Sequence, residues 1–412
     1  MKFNDLNLSD PITRSLKDQG YEKPTPIQTE VIPAILNKSD VMAAAQTGTG
    51  KTAAFVLPIL SMLSNPKNNY KGHQLRALIL TPTRELAAQV RESVNTYSKY
   101  LSIRSTAVYG GARIHNQRLK LRKGVDVLVA TPGRLLDLYN QKAVNFKNIE
   151  LFVLDEADQM LDMGFIHDIK KIANLLPDRR QNLMFTATFS NPFRKLAKEM
   201  ADKAIEISVT TDGEAGENIE HYCHPVDKSR KAELLIELIE TQNWDQALVF
   251  TRTKHGADRL QKQLEKVEIS AKAIHGNKTQ NNRMKALDAF KNNRVKILVA
   301  TDVAARGIDI KKMSQVINFD VPTVAKDYIH RIGRTGRGGD KGKAITLVSA
   351  DEFRLLSDIE KLLGQKLERV EIEGFEPEHV VPAKEKQKPK NKKFHNRGGF
   401  KNRRRSRKGY SL

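Results

Sequence analysis

Residues 45–52, with the sequence AQTGTGKT, have the residue types and spacing needed to hold a polyphosphate. An apolar run, VMAAA, leads into this stretch and predicts a buried strand, while KTAAFVL at its end predicts the start of a helix. Between the two, Gly48 and Gly50 allow a tight turn whose backbone N–H groups point into one concavity. There Lys51 would neutralise the β- and γ-phosphates, and the hydroxyl of Thr52 would hold a Mg²⁺ ion.

The pattern departs from the usual phosphate-binding loop at its first position, where Ala45 replaces glycine. An ordinary glycine-containing turn between a strand and a helix is the alternative interpretation. Because the strand before and the helix after are both predicted, a nucleoside triphosphate site is favoured. The predicted nucleotide contacts are Ala45, Gln46, Thr47, Gly48, Thr49, Gly50, Lys51 and Thr52.

Carboxylates follow the fifth predicted strand, where LFVL at residues 151–154 runs into DEAD at residues 155–158. Ligands of open α/β sheets collect at the carboxyl ends of the strands, so these acids should face the phosphate cradle. Asp155 would hold Mg²⁺, partly through water, and Glu156 would orient and deprotonate the water that attacks the γ-phosphate. The alternative is an acidic cluster that caps the following helix.

Cationic side chains suited to such a hydrolysis occur much later, in the sequence HRIGRTGR at residues 330–337. His330, Arg334 and Arg337 are spaced by glycines that let the backbone approach another surface closely. We expect Arg334 and Arg337 to complete the site from a second domain, so that catalysis occurs only when two domains close. A positioned arginine typically accelerates such a reaction ~10³–10⁵-fold, which is enough to make closure a switch.

The elements that must position these groups form two α/β units. Strand-like and helix-like segments alternate in both halves of the chain, as in parallel sheets covered by helices on both faces. The second half has no second Gly-Lys-Thr, so we do not expect it to bind nucleotide phosphates by itself. The predicted strands are residues 41–45, 76–81, 106–109, 126–130, 151–154, 182–186, 221–224, 247–250, 271–274, 296–300, 316–319 and 344–348.

Four segments follow from this alternation. A first α/β domain covers residues 1–207, and the polar sequence SVTTDGEAGEN at residues 208–218 is predicted to be a flexible interdomain linker. A second α/β domain covers residues 219–382. The predicted fold class is therefore α/β, with two tandem parallel-sheet domains followed by a basic tail at residues 383–412.

The net charge of +22 is concentrated in that tail. Residues 383–412 contain 13 lysines and arginines and a single acid, with Phe394, Phe400 and Tyr410 interleaved among them. Such a segment buries too little apolar surface to fold alone, and its rings suit stacking on bases. We expect a disordered tail that binds RNA, and a tail that only solubilises the protein is the alternative.

Composition excludes several other classes of protein. The 412 residues suffice for two or three domains, and the apolar runs fall well below the ~18–20 residues that cross a membrane. The N-terminal residues lack the apolar core of a secretion signal, and the single cysteine, Cys223, allows no intrachain disulfide. We therefore expect a cytoplasmic protein without a membrane partner.

Together the motifs resemble those of the DEAD-box ATP-dependent RNA helicases of superfamily 2. The chain also has PTRELA, a Gly-Gly pair, TPGR, a QxxR arrangement and ATDVAARGID, in the family's order. Upstream, GYEKPTPIQ resembles the adenine-recognising Q motif, and Phe3 lies seventeen residues before Gly20, where the family has an isolated aromatic. The resemblance runs from Phe3 to about Ser349, and the tail is similar to that of RhlE-like bacterial members.

The resemblance implies two RecA-like domains and further contacts to ATP. Gln28 would hydrogen-bond the edge of adenine, with Phe3 or Tyr21 packed on the ring. Asp309 would reach the ribose. An amide that reads one base edge is left unpaired by the wrong base, so ATP should be preferred over GTP.

The resemblance also implies that loops of both domains hold the sugar–phosphate backbone of one RNA strand. Such contacts position the strand without reading its bases, and contacts to 2′-hydroxyls favour RNA over DNA. Closure would bend the strand so that its complement no longer fits, which separates short duplexes locally. The implied RNA contacts are Pro82, Thr83, Arg84, Gly110, Gly111, Thr131, Gly133, Arg134, Gln280, Arg283 and Thr301.

One motif departs from the family pattern. The family usually has Ser-Ala-Thr where residues 186–188 of this chain read Thr-Ala-Thr. The hydroxyls of Thr186 and Thr188 are retained, so hydrogen bonding to Asp158 is expected. Interdomain coupling to His330 is expected as well. The extra methyl group of Thr186 crowds a tight junction, so ATP hydrolysis without efficient unwinding is a further hypothesis.

Three functions remain as hypotheses. The first is a monomeric ATP-dependent RNA helicase that acts in ribosome assembly, RNA decay or cold adaptation, in contact with ribosomal precursors or RNA-decay complexes. The second is an RNA chaperone or clamp whose ATPase times the release of RNA. The third is a DNA-directed translocase with the same two domains, and the Q motif argues against it.

Overall fold

A computed structural model describes residues 1–45, 48–64, 72–209, 219–305, 313–335 and 342–378 of the protein. It contains two seven-stranded sheets in which all paired strands are parallel. Helices connect successive strands and pack on both faces of each sheet. The predicted α/β class with two tandem RecA-like domains is thereby confirmed.

The first domain has seven strands and nine α-helices among the described residues. Its strands are β1 (Val41–Ala44), β2 (Ala77–Leu80), β3 (Ser105–Val108), β4 (Val127–Ala130), β5 (Leu151–Leu154), β6 (Gln181–Thr186) and β7 (Ile205–Ser208). Its helices are α1 (Asp10–Asp18), α2 (Pro26–Leu36), α3 (Lys51–Leu63), α4 (Arg84–Tyr97), α5 (Ile114–Arg122), α6 (Pro132–Asn140), α7 (Ala157–Asp162), α8 (Ile166–Ala173) and α9 (Asn191–Met200). The strand order is β3-β4-β2-β5-β6-β1-β7.

The second domain repeats this architecture. Its strands are β8 (Ile219–Pro225), β9 (Ala247–Phe250), β10 (Ala271–Ile274), β11 (Ile297–Ala300), β12 (Gln315–Asn318), β13 (Gly342–Val348) and β14 (Glu368–Arg369). Its described helices are α10 (Lys231–Thr241), α11 (Lys254–Lys266), α12 (Gln280–Lys291), α13 (Asp302–Ala305), α14 (Ala325–Ile332) and α15 (Phe353–Leu363). The strand order is β10-β11-β9-β12-β13-β8-β14.

The central strands are buried on both faces, which explains their continuous apolar sequences. All four residues are buried in β2 (ALIL), β4 (VLVA) and β5 (LFVL). Strands covered by helices on both sides lose the alternation of polar and apolar residues, and their length of four residues suits a small doubly covered sheet. The core of each domain therefore lies between the sheet and its helices.

The register of the first sheet brings three predicted motifs to one edge. Ala44 at the end of β1 pairs with Thr186 of β6, and Leu154 at the end of β5 pairs with Met184 of the same strand. The carboxyl ends of β1, β6 and β5 therefore lie side by side, with β6 in the middle. The phosphate loop, residues 186–188 and the acids after β5 all start from this edge.

The sequence did not predict the edge strands β7 and β14. Three of the four residues of β7 are exposed, and β14 has only two residues, so neither has a clear apolar signal. β7 includes Ser208, and the N–H of Val209 donates to the carbonyl of Ala44 at 3.1 Å, so the sheet extends past the predicted boundary at residue 207. The other domain boundaries stay predictions, since residues 210–218 and the tail lie outside the described residues.

None of the helices in the described part of the chain is long and apolar enough to span a membrane.

Candidate active site

The phosphate loop has a backbone that a polyphosphate can approach closely. β1 ends at Ala44, Ala45 is buried directly after it, and Gly50 is the N-cap of α3. Gly48 and Gly50 have φ angles of 89° and 95°, in the left-handed region where a side chain would be strained. The N-terminus of α3 directs its unpaired N–H groups and the positive end of its dipole toward the loop.

Gln28 connects the Q-motif segment to this loop. Its Nε2 donates to the carbonyl of Gly50 at 3.2 Å, and its Oε1 accepts from the N–H of Thr25 at 3.0 Å. A Cβ on Gly50 would lie 2.4 Å from the Nε2 of Gln28, so the contact requires glycine. The amide predicted to read adenine is therefore hydrogen-bonded directly to the phosphate loop.

The two rings predicted to pack on adenine differ in exposure. Phe3 is 5% exposed and belongs to the apolar core of the first domain. Tyr21 is 45% exposed, and its ring centroid lies 6.4 Å from that of Tyr97. Tyr21 therefore offers the larger free face to a base, whereas Phe3 would have to leave the core to stack.

Lys51 stands where β1, β5 and β6 converge. Its Nζ lies 3.3 Å from Oε1 of Glu156 and donates to the carbonyl of Thr186 at 3.4 Å. Lys51 is buried, so its charge is held in place by these two oxygens rather than by water. A γ-phosphate at this position would compete with Glu156 for the ammonium group.

Asp155 and Thr52 fit a divalent cation. Asp155 is buried, and its Oδ2 has no hydrogen-bond partner among the described residues. Burial raises the pKa of Asp155 to about 7, with the charge of Glu156 adding to the rise and Lys51 opposing it. A buried carboxylate oxygen needs a cation or a proton. Carboxylate and hydroxyl oxygens, the latter from Thr52 in the first turn of α3, are ligands that Mg²⁺ prefers.

Glu156 has a strained backbone. It is the N-cap of α7 with φ 53° and ψ 51°, a left-handed conformation that costs about 1–2 kcal/mol for a residue with a side chain. Burial acts to raise the pKa of Glu156, but the charges of Lys51, Arg334 and His330 outweigh it and lower that pKa. Glu156 is therefore a carboxylate at neutral pH, the form that can accept a proton from water.

Two of the residues that act on Glu156, Arg334 and His330, come from the second domain and flank a buried arginine. Arg331 in α14 donates from Nε and Nη2 to the carboxylate of Asp302 at 2.6 and 2.7 Å. Its Nη1 donates to the carbonyl of Asp320 at 2.7 Å. His330 and Arg334 lie on either side of this anchor, and their charges reach Glu156 in the first domain.

The hydrogen bond to Asp158 differs from the one predicted. The side chain of Asp158 accepts from the backbone N–H of Ala187 at 3.0 Å, not from a threonine hydroxyl. The hydroxyl of Thr186 donates instead to the carbonyl of Thr188 at 2.9 Å. Because Thr186 is fully buried, its extra methyl group lies inside this junction.

Three predicted RNA-binding loops of the first domain meet at the turn of residues 110–113. A Cβ on Gly111, which has a φ of 73°, would lie 1.9 Å from Nη1 of Arg84. In addition, Nη1 of Arg134 donates to the carbonyl of Ala112 at 3.1 Å. Two guanidinium groups therefore border the Gly110–Gly111 pair, as a phosphate-binding surface requires.

The remaining predicted RNA contacts of the first domain lie at or near helix starts. Thr83 is the N-cap of α4, and its Oγ1 accepts from the N–H of Leu86 at 3.3 Å, so the hydroxyl is engaged in capping. Thr131 is the N-cap of α6 without a side-chain capping bond. Pro82 is buried, and Gly133 faces open space.

In the second domain, Arg283 contacts the first domain directly. Its Nη2 lies 3.1 Å from Oε1 of Glu85, near the start of α4, and both side chains are buried. Both polar atoms of the Gln280 amide are buried without a hydrogen-bond partner among the described residues. Thr301 directly follows β11 and is half-buried.

Sequence reasoning missed Glu85 and the pair of Arg331 and Asp302. An acid in the first turn of a helix is already explained by the helix dipole, so Glu85 carried no separate signal. Four predicted site residues, Gln46, Thr47, Asp309 and Arg337, lie outside the described residues.

A phosphate cradle, an adjacent carboxylate pair and cations from a second α/β domain define a two-domain nucleoside triphosphatase. Residues 25–208 match the DEAD/DEAH box helicase family, and residues 230–339 match the helicase conserved C-terminal domain. The chain is 40% identical over 379 residues to the DEAD-box ATP-dependent RNA helicase RhpA of Helicobacter pylori, covering 92% of this chain and 76% of RhpA.

A second relative and a solved structure are also similar to this chain. The DEAD-box ATP-dependent RNA helicase CshA of Bacillus cereus is 41% identical over 369 residues, which cover 90% of this chain and 69% of CshA. The solved structure of S. cerevisiae Dbp5 bound to RNA and ADP BeF3 has a TM-score of 0.79 and 33% identity, covering 90% of this chain and 95% of that one. The chain belongs to the family of DEAD-box ATP-dependent RNA helicases: it is an enzyme that uses ATP and acts on RNA.

Proposed function

We propose that this helicase closes its two domains on ATP and one RNA strand, and that closure both activates hydrolysis and opens short duplexes locally. One contact carries the proposal: Nη2 of Arg283 in the second domain lies 3.1 Å from Oε1 of Glu85 in the first, and the charge of Arg334 acts in the same direction across the domains by lowering the pKa of Glu156. A hydrolysis site built from both domains is complete only when they are closed. RNA that favours closure therefore accelerates hydrolysis.

The proposed chemistry assigns one task to each group. Glu156, kept ionised by the neighbouring cations, orients the attacking water and accepts its proton. Lys51 leaves its pair with Glu156 to neutralise the γ-phosphate. Arg334, together with Arg337, stabilises the charge that develops on the departing phosphoryl group. Asp155 and Thr52 would hold Mg²⁺, which would supply further positive charge to the phosphates.

ATP recognition and RNA binding are proposed for two different sets of residues. Gln28 would exchange its hydrogen bond with Gly50 for one to adenine. Binding of the base would therefore remove a contact to the phosphate loop. On the RNA side, the guanidinium groups around Gly111 and the unpartnered amide of Gln280 suit backbone contacts in the two domains. The likeness to Dbp5 bound to RNA and ADP BeF3 supports a closed state of this kind.

Biologically, we propose a cytoplasmic monomer that acts without strong sequence preference in ribosome assembly, RNA decay or cold adaptation. The tail at residues 383–412 would add sequence-independent affinity through its 13 cationic side chains. Its removal should weaken RNA binding and flatten the salt dependence, because fewer counterions are released. An unchanged salt slope would contradict that role.

The proposed function is tested by measuring how many short RNA duplexes each enzyme molecule unwinds when the duplex is in excess over the enzyme. Wild type should open many duplexes per molecule with ATP and fail on the matching DNA duplex. Glu156→Gln should open at most one duplex per molecule, since ATP binding closes the domains but hydrolysis cannot reset them. Release of RNA without any strand separation by wild type would instead indicate the clamp.

ATP hydrolysis without efficient unwinding remains a second candidate because Thr186 is buried in the junction that holds Asp158. The comparison of wild type with Thr186→Ser isolates the additional methyl group. This hypothesis predicts that Thr186→Ser lowers the number of ATP molecules consumed per duplex opened. An unchanged ratio would reject it.

A further inference from the structure

Helix α5, which follows the Gly110–Gly111 turn, has a strongly basic surface. Five of the eleven residues at positions 113–123 are lysine or arginine, and none is acidic. Within the described part of the chain, none of these five forms an ion pair. The cations are Arg113, Arg118, Lys120, Arg122 and Lys123.

The buried face of α5 is anchored in the first domain, and this sets the direction of its basic face. Buried Gln117 accepts from the N–H of Tyr109 at 3.1 Å and donates to the carbonyl of the same residue at 3.1 Å. One turn later, Leu121 packs in the apolar core. These two anchors define the buried face, and Lys120, Arg122 and Lys123 are exposed outside it.

Helix stability explains only part of this charge. Lys120 and Arg122 lie in the last turn, where cations interact favourably with the helix dipole. Arg113 is the N-cap, where a cation opposes that dipole. Its exposed side chain follows Gly111 by two residues, so it extends the cationic border formed by Arg84 outward along α5.

We propose that the exposed face of α5 binds the sugar–phosphate backbone of RNA that extends beyond the strand held at the Gly110–Gly111 turn. The inference rests on the RNA contacts proposed for that turn. A nine-residue helix is about 14 Å long, which is enough for more than one backbone phosphate. Lysine and arginine contacts to phosphates add affinity without reading sequence.

The test measures the affinity of the full-length protein for single-stranded RNA of increasing length. The starting RNA is the shortest polyuridine that saturates ATPase stimulation, and it is then extended at either end. A triple variant, Lys120→Gln, Arg122→Gln and Lys123→Gln, removes three charges from α5. A matched control, Arg259→Gln, Lys262→Gln and Lys266→Gln, removes three charges from exposed positions of α11 in the second domain.

We expect extension at one end to raise the affinity of wild type and of the control about tenfold at low salt, and to leave the α5 variant almost unchanged. The salt slope on the long RNA should fall by about 2 in the α5 variant, since each phosphate contact on a single strand contributes about 0.7. All three proteins should bind the shortest RNA equally. Crosslinks from 4-thiouridine in the extension should map to residues 113–123.

Two outcomes would overturn the inference. Either the α5 variant gains as much from extension as the control, or the crosslinks fall only outside α5. Failure of every polyuridine to stimulate the ATPase of wild type would instead contradict the proposed function of the Gly110–Gly111 turn. Far-UV circular dichroism of the variant checks that α5 remains folded.

Discussion

Arg283 of the second domain and Glu85 of the first form a buried ion pair, with 3.1 Å between Nη2 and Oε1. Glu85 lies next to Arg84, which borders the Gly110–Gly111 turn, and Arg283 lies one turn after Gln280. The pair therefore joins the proposed RNA-binding surfaces of the two domains. Burial lowers the pKa of the Arg283 guanidinium, and the charge of Glu85 opposes that effect.

Replacing Glu85 by glutamine should weaken RNA binding only when the domains are closed. With a non-hydrolysable ATP analogue, we expect a loss of about 2 kcal/mol, roughly 30-fold in affinity, because Arg283 would be buried without its carboxylate. Without nucleotide the affinity should not change. Fluorescence anisotropy with labelled RNA measures both.

Glu150→Gln is the matched control for this change. Glu150 also pairs with an arginine, Arg76, but both residues belong to the first domain. We expect the control to bind RNA like wild type under both conditions. If Glu85→Gln lost the same RNA affinity with and without nucleotide, the effect of the pair on RNA binding would not depend on domain closure.

Glu156→Gly should be more stable than Glu156→Gln, although both are inactive in hydrolysis. Both variants remove the carboxylate, but only glycine relieves the left-handed backbone at φ 53°. We expect a difference of about 1 kcal/mol in the free energy of unfolding of the first domain, measured by urea denaturation.

The same pair of substitutions at Glu92, an exposed position inside α4, provides the control. There glycine should be less stable than glutamine by roughly 1 kcal/mol, because the backbone is helical. A Glu156→Gly variant no more stable than Glu156→Gln would mean that the backbone at this position is not strained.

Glu352→Gln should destabilise the second domain more than Lys231→Met. Glu352 is buried and accepts from Lys231, from Arg252 at 2.6 Å and from the N–H of Val321 at 3.2 Å. Without its charge, Lys231 stays buried as an uncompensated ammonium group, which typically costs about 3–5 kcal/mol. Without Lys231, Glu352 retains Arg252.

Urea denaturation of both single variants and of the double variant measures this asymmetry. The double variant should be more stable than Glu352→Gln alone, because it contains no unpaired buried ammonium. If the double variant loses the sum of the two single losses, the two residues are not coupled.

Much of the fold followed from local sequence. β2, β4 and β5 are uninterrupted apolar runs between helical segments, which is the signal of strands covered on both faces. β7 has mostly exposed side chains and pairs only at the sheet edge, so its sequence resembles a loop. β7 forms because the backbone N–H and C=O groups of β1 are available for pairing, and no local sequence pattern indicates that.

The candidate site, like the fold, could be predicted only in part from the sequence. Lys51, Asp155 and Glu156 could be identified because the chemistry requires those side chains next to a glycine turn or a strand end. The Glu85–Arg283 pair could not be predicted, because its partners are far apart in the chain and meet only through the arrangement of two domains. The bond from Ala187 to Asp158 was missed because it uses a backbone group, which any residue supplies.

We propose that the second domain completes the hydrolytic site only when RNA favours closure. The most direct measurement is the ATPase rate with and without single-stranded RNA, for wild type and Arg334→Ala, with Arg354→Ala at an exposed position of α15 as the control. Wild type and the control should be strongly stimulated by RNA, and Arg334→Ala should lose about 10³-fold or more of the stimulated rate. An ATPase rate that is the same with and without RNA, and the same in Arg334→Ala, would contradict the account.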